Sequence, residues 1–167
     1  HCDCMEYMAT VPDKYFDLAI VDPPYGIGFD GNTTANGGIA GRRNGFTNKQ
    51  HHEKKGWDAD RPTNEYFAEL KRVSKNQIIW GGNYFSVPPS RCWLLWNKVN
   101  AVPTMADMEM AWTNFDRPAK RIDLPVGRVE FGHPTQKPIK LIEWCLDLAP
   151  KTTSTVSDPF MGSGTTG

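Results

Sequence analysis

A carboxylate, two imides and an aromatic ring stand in a row at Asp22-Pro23-Pro24-Tyr25, directly behind the apolar run Leu18-Ala19-Ile20-Val21. That run predicts a buried parallel strand, and the prolines end it because neither Pro23 nor Pro24 carries a backbone donor for the sheet ladder. The tetrapeptide therefore belongs at the carboxyl end of a strand, where open α/β sheets bind ligands. Few chemistries need such a set. Methyl transfer to an exocyclic base amine is one that does.

A second constellation closes the chain. Thr153 to Ser157 reads as a β-branched strand running into Asp158-Pro159-Phe160-Met161 and then Gly162-Ser163-Gly164-Thr165-Thr166-Gly167. The glycines spell a dinucleotide-binding fingerprint, a weak signal alone. A nicotinamide enzyme needs a following helix and an acidic residue about 20 positions on, and the sequence stops at the third glycine. Glycines still let the backbone pass close to a ligand and leave amides at a helix start free to bind it. Asp158 is placed to accept from a cationic ammonium, which a pyrophosphate cofactor lacks. That favours S-adenosylmethionine.

The elements that must position these residues follow from periodicity. Thr63 predicts a helix cap, with Glu65 in the first turn and Phe67, Leu70 and Val73 near helical spacing, and Ser74-Lys75-Asn76 as its end. Gln77 to Trp80 and Cys92 to Trp96 read as strands, and Met108 to Trp112 as a weaker one. Pro138 opens a helix with Ile139, Ile142, Leu146 and Ala149 expected on the buried face, and Pro150 lies just past its end. Residues 26–60 form a long loop holding eight glycines between Gly26 and Gly56, and 117–132 read as irregular or hairpin-like. Strands alternating with helices predict a doubly wound, mostly parallel α/β sheet in one domain spanning 1–167.

Composition bounds the rest. The chain has 167 residues, 39% of them hydrophobic, and a formal net charge of zero, which argues against a purely electrostatic nucleic-acid binder. Basic clusters remain: Arg42, Arg43, Lys49, Lys54 and Lys55 in the long loop, and Arg117, Lys120, Arg121 and Arg128 later. Either could meet phosphates or simply be solvated. The four cysteines form no C-x-x-C pair, so no metal site is expected. No apolar stretch approaches the roughly 20 residues that span a bilayer, and a cytoplasmic location without membrane partners is expected.

Taken in order, Asp22-Pro23-Pro24-Tyr25, His133-Pro134-Thr135-Gln136-Lys137-Pro138 and Asp158-Pro159-Phe160-Met161-Gly162-Ser163-Gly164-Thr165-Thr166 resemble the β-type amino DNA methyltransferases. These are the N6-adenine and N4-cytosine enzymes whose catalytic motif precedes the cofactor motif. The resemblance implies an S-adenosylmethionine-dependent methyltransferase fold, with double-stranded DNA as substrate and adenine N6 as the favoured target. N4-cytosine and a catalytically silent DNA-binding module are the alternatives. In the family, Asp22, Pro23, Pro24 and Tyr25 would be catalytic. An adenine amine is a poor nucleophile while its lone pair is delocalised into the ring. The Asp22 carboxylate and Pro23 carbonyl would hold its two hydrogens, while Tyr25 stacks on the flipped base. Asp158, Pro159, Phe160, Gly162, Ser163, Gly164 and Thr165 would hold the cofactor, with Thr135, Gln136 and Lys137 closing over it and Asp3 meeting its adenine. Cys2 stands where the family has glycine.

Other readings of single residues stay open. Asp22 could merely cap its turn, Tyr25 and Phe160 could be core aromatics, and Lys137 could be a surface cation. Trp112 and Phe115 are placed to offer a second aromatic to the base, although Trp80, Trp93, Trp96 and Trp112 fit core positions better, since apolar strands account for them. Arg42, Arg43, Lys49 and Arg121 are the expected DNA contacts, and 116–132 is the expected target-recognition segment. So short a segment suggests either a short site or help from a second copy of the chain in a homodimer. The family carries further elements before Asp3 and after the glycine-rich turn, so the sequence reads as truncated at both ends.

Overall fold

The computed structural model describes residues 3–27, 60–101, 106–126 and 137–161, together with Gly164 and Thr166. Its elements are α1 (Cys4–Thr10), β1 (Phe16–Val21), α2 (Asn64–Val73), β2 (Ser74–Trp80), β3 (Trp93–Asn97), β4 (Met108–Thr113), β5 (Lys120–Asp123), α3 (Ile139–Leu148) and β6 (Val156–Ser157). The six strands lie in the order β5-β3-β4-β2-β1-β6. β1 pairs in parallel with β2 and β6, and β3 with β5, whereas β4 is antiparallel to both β2 and β3. Within this sheet β4 alone therefore runs against the others. The carboxyl ends of β1, β2, β3 and β6 share one edge, and the amino end of β4 joins them there.

Side chains of β1 alternate between the two faces, as the pleat requires. Leu18 and Ile20 pack with Leu141, Ile142 and Cys145 of α3, whereas Ala19 and Val21 pack with Met8 of α1 and Tyr66, Phe67 and Leu70 of α2. Helices thus cover both faces, the doubly wound arrangement expected from the sequence. Thr63 caps α2 by accepting from the Tyr66 amide, with Glu65 in the first turn and Lys71 and Arg72 in the last, where the helix dipole favours each charge.

Three local expectations are corrected. α2 ends at Val73 with Ser74 as its C-cap, as Ser74-Lys75-Asn76 indicates, but the following strand begins at Ser74 itself rather than at Gln77. The Ser74 hydroxyl donates to the Leu70 carbonyl, and the Gln77 side-chain Nε2 donates to the Ser74 carbonyl and hydroxyl, so the junction can be buried without a loop. The buried stripe of α3 is Leu141, Ile142 and Cys145, continued by Ala149, while Ile139 and Leu146 are 63% and 41% exposed. Both stripes have helical spacing, and packing on β1 selects the one with Leu141. Finally, residues 120–123 are a strand. Three of its four residues are exposed, so no apolar alternation announced it, and pairing to β3 forms it.

At the opposite edge of the sheet Asp17 anchors β6. Its Oδ2 accepts from the amides of Ser154 and Thr155 at 3.0 and 3.1 Å and from their hydroxyls at 2.8 and 3.0 Å, and Lys75 donates to Oδ1 at 2.7 Å. The Lys75 contact first, then the Ser154 and Thr155 donors, hold this carboxyl well below the usual carboxylate range. A lowered folded pKa stabilises above the unfolded value near 4, and the gain is lost as pH falls. Asp17→Asn should therefore lower the melting temperature at pH 7. Thermal unfolding followed from pH 7 to pH 3 should show the gap to wild type narrowing below about pH 4.

Candidate active site

The strand edge where β1 ends gathers one carboxylate, one phenol and one buried ammonium. Asp22 follows Val21, and its Oδ1 accepts from the Tyr25 hydroxyl at 2.7 Å. Its Oδ2 accepts from Lys137 Nζ at 2.6 Å. Lys137 precedes α3 and is 7% exposed, so the surface-cation reading does not hold. The same ammonium lies 3.1 Å from Glu109 Oε2, and Glu109 Oε1 meets Lys98 Nζ at 2.5 Å. Opposite charges alternate along Lys98, Glu109, Lys137 and Asp22.

This alternation fixes the protonation states. Burial alone would pull the Lys137 ammonium down, but Asp22, Glu109 and Tyr25 together carry it well above its ordinary value. Burial works against the Glu109 carboxylate too, and Lys137 and Lys98 bring it below the ordinary range. The Tyr25 phenol is pushed well up by burial, with the Lys137 charge opposing and Asp22 adding to the rise. At neutral pH, Lys137 is a cation, Glu109 an anion and Tyr25 a protonated donor to Asp22.

An aromatic bracket sets the position of Tyr25. Its ring stacks on Tyr84 with centroids 5.0 Å apart and planes 17° from parallel, and Phe85 meets its edge at 6.2 Å. Gly81, which follows β2, adopts φ 68°, and a Cβ there would fall 2.2 Å from Tyr25 Cε1. Arg61 ties the bracket together, donating to the Tyr25 carbonyl at 2.9 Å and to the Tyr84 carbonyl at 3.1 Å. Gly81→Ala should displace the Tyr25 ring, besides a left-handed strain of about 1–2 kcal/mol. We expect turnover at saturating cofactor to fall on the order of tenfold to a hundredfold. Far-ultraviolet circular dichroism should stay unchanged.

On the neighbouring strand, β6 delivers Asp158 to the same edge. β1 and β6 run in register Leu18 with Val156 and Ala19 with Ser157, which sets the residues after them side by side. Burial pushes the Asp158 carboxyl up, donors from Thr166 and Phe160 oppose, and the nearby Asp22 charge adds to the rise. The ring of Phe160 packs edge-on against Tyr66 at 5.2 Å. The buried Tyr66 hydroxyl has no hydrogen-bond partner among the described residues. Gly164 takes φ 82°, and nothing lies within 4 Å of where its Cβ would stand. A half-buried carboxylate, an aromatic wall and an orphaned hydroxyl fit a ligand with a cationic and a polar aromatic part.

Comparison with known proteins decides the family. The pattern of the N6 and N4 DNA methylases, described as DNA methylase, matches residues 82–167. The chain belongs to this DNA methylase family. It is 27% identical to the type II methyltransferase M2.MboI of Moraxella bovis, over 99% of this chain and 75% of that protein. It is also 27% identical to the type II methyltransferase M.HinfI of Haemophilus influenzae, over 99% of this chain and 59% of that protein. The fold resembles that of M1.HpyAVI in its complex with SAM, with a TM-score of 0.53 and 21% identity, covering 100% of this chain and 83% of that one.

Within this DNA methylase, Asp22, Pro23, Pro24, Tyr25, Lys137, Asp158, Pro159, Phe160 and Gly164 lie in the described part of the chain. Lys137 sits against Asp22 of the Asp22-Pro23-Pro24-Tyr25 turn. Asp3 caps α1, its Oδ1 accepting from the amides of Met5 and Glu6. Arg121 is exposed on β5 and paired with Asp123 at 2.8 Å. Arg42, Arg43, Lys49, Thr135, Gln136, Gly162, Ser163 and Thr165 lie outside the described residues.

Trp112 and Phe115 do not offer the second aromatic. Both are buried: Phe115 packs in the core beyond the carboxyl end of β4, and Trp112 packs with Phe67 and Leu70 of α2 and donates its indole N–H to the Pro88 carbonyl at 2.7 Å. The neighbour of Tyr25 is Tyr84 instead. Sequence reasoning also missed Gly81, Arg61, Glu109 and Lys98. Two signals were present: a glycine pair closing an apolar strand, which marks close backbone approach, and a lone glutamate inside the run Met108 to Trp112. Nothing in the sequence marked Arg61.

Proposed function

We propose that this chain transfers a methyl group from S-adenosylmethionine to the exocyclic N6 of an adenine turned out of duplex DNA. The observation that carries the reading is the pair of carboxylates at adjacent strand ends, Asp22 after β1 and Asp158 after β6. Asp158 accepts from the ammonium of the cofactor's methionine end, with Phe160 and the orphaned Tyr66 hydroxyl lining its neighbourhood. Asp3, Thr135, Gln136, Pro159, Gly162, Ser163, Gly164 and Thr165 complete its binding surface. When bound, S-adenosylmethionine supplies a methyl group activated on a sulfonium. That M1.HpyAVI is a complex with SAM supports the choice.

At the other half of the site, Asp22 and the Pro23 carbonyl accept the two amine hydrogens and pull the nitrogen toward tetrahedral geometry. Lys137 and Tyr25 each donate to one oxygen of Asp22, so the carboxylate stays an oriented acceptor with lone pairs left for the amine. The adenine takes the face of Tyr25 turned away from Tyr84. Extruding it costs a few kcal/mol, which contacts from Arg42, Arg43, Lys49 and Arg121 to phosphates help to offset. Neither Asp22 nor Lys137 must act as a strong base, since the methylated amine is acidic enough to lose its proton once transfer is complete.

Adenine is the first choice, and N4-cytosine is the second, because the matching family spans both amines. The test is to incubate the full chain with S-adenosylmethionine and duplex DNA, digest the DNA to nucleosides and quantify both products by mass spectrometry. N6-methyladenine is expected. N4-methylcytosine alone would move the assignment to the second reading, and no methylated base would overturn both.

A further inference from the structure

Burying two lysines beside the reaction centre is expensive, because each ion loses several kcal/mol of hydration and an apolar pair of similar volume would commonly be as stable or more so. Lys98 and Lys137 are nonetheless among the few buried charged residues of the described chain, and both converge on Glu109. The sheet explains how they meet. β4 runs against its neighbours, so Glu109 near its amino end reaches the edge where β1 ends, and Trp96 of β3 lies opposite it in register. Lys98 follows β3, and its ammonium also lies 5.2 Å over the Trp96 ring. Lys137 lies 5.5 Å over the Trp80 ring, a second wall that excludes water. The two ammonium groups are the deeper members of the row, with side-chain exposure of 6% for Lys98 and 7% for Lys137 against 21% for Glu109 and 33% for Asp22.

We propose that Glu109 is a positioning residue for methyl transfer: braced by Lys98, it seats the Lys137 ammonium so that Asp22 presents a fixed acceptor to the target amine. The proposal rests on the methyl-transfer reading given above and adds a residue outside all three sequence motifs. Glu109 touches neither the amine nor the cofactor in this account, and acts only through Lys137. The charged and titratable groups facing Lys137 are Asp22, Tyr25 and Glu109, with the Cys145 thiol of α3 near enough to feel its charge. Burial pushes that thiol up to about 12, so it stays neutral. Asp22 and Glu109 thus supply the anionic charge that keeps Lys137 protonated against its burial.

Removing one of those two anions should let Lys137 lose its proton at a lower pH than in the wild type. In Glu109→Gln, kcat should fall on the order of a hundredfold through misplacement of Asp22. An alkaline limb should enter its pH profile that the wild type lacks over the same range. Affinity for S-adenosylmethionine by calorimetry and KM for DNA should stay within about threefold. Lys98→Met should lower kcat by a smaller amount without bringing in the limb, because it removes a cation rather than one of the anions facing Lys137, and serves if Glu109→Gln does not fold. A folded Glu109→Gln with unchanged kcat and no new limb would overturn the proposal, as would a loss of kcat matched by an equal loss of cofactor affinity. Titration of the Lys137 ε-ammonium by NMR needs no turnover and separates the two levels. A wild type that makes no methylated DNA overturns the functional reading, whereas an unchanged Lys137 titration in Glu109→Gln overturns the positioning role.

Discussion

Asp22→Ala should lower kcat by on the order of a thousandfold, the scale seen when a single polar contact to developing charge is removed from an active site. The carboxylate receives donors from two sides, Tyr25 at 2.7 Å and Lys137 at 2.6 Å, and still has lone pairs for a third. Alanine leaves the Pro23 carbonyl as the only acceptor for an amine that needs two. In the proposed reaction the Asp22 carboxylate would face the amine as positive charge builds there, and alanine removes that anion. Single-turnover transfer from preformed enzyme and cofactor measures the chemical step without product release. A rate within tenfold of wild type would show that Asp22 only shapes its turn, the alternative left open by the sequence.

Lys137→Met should cost both stability and rate. Removing one partner of a buried pair commonly destabilises by about 3–5 kcal/mol. The lower part of that range is expected here, because Lys98 still neutralises Glu109 and Asp22 keeps access to solvent. Denaturant unfolding at pH 7 measures it. Turnover should drop alongside, because Asp22 loses the contact that orients Oδ2. Lys137→Arg should fall between, since a planar fork cannot reproduce one ammonium that meets Asp22 and Glu109 at 2.6 and 3.1 Å. If Lys137 instead serves mainly to close over the cofactor, S-adenosylmethionine affinity will fall in Lys137→Met as steeply as turnover.

How much of this was legible before the structure depends on which force set each feature. β1 and the turn from Asp22 to Tyr25 were readable because hydrophobic run and proline punctuation are local signals, and the Thr63 cap was readable for the same reason. α3 was readable as a helix but not in rotation, because Ile139 and Leu141 head two stripes of equal spacing and only packing on β1 chooses. β5 is exposed along most of its length and owes its form to a long-range pairing. The backward course of β4 is likewise topological. It carries Phe115 away from Asp22 and brings Glu109 toward it. Charge pairing between residues as distant in sequence as Asp22, Lys98, Glu109 and Lys137 left only a faint trace, a glutamate in an apolar strand.

The central claim is a division of labour between two strand ends, with the amine held after β1 and the cofactor after β6. Calorimetric titration of S-adenosylmethionine into the wild type, Asp22→Ala and Asp158→Ala tests it most directly. The account predicts affinity within about threefold of wild type for Asp22→Ala and at least about tenfold weaker for Asp158→Ala, the loss expected for a charge-assisted hydrogen bond. Equal losses in the two variants, or a greater loss in Asp22→Ala, would contradict it.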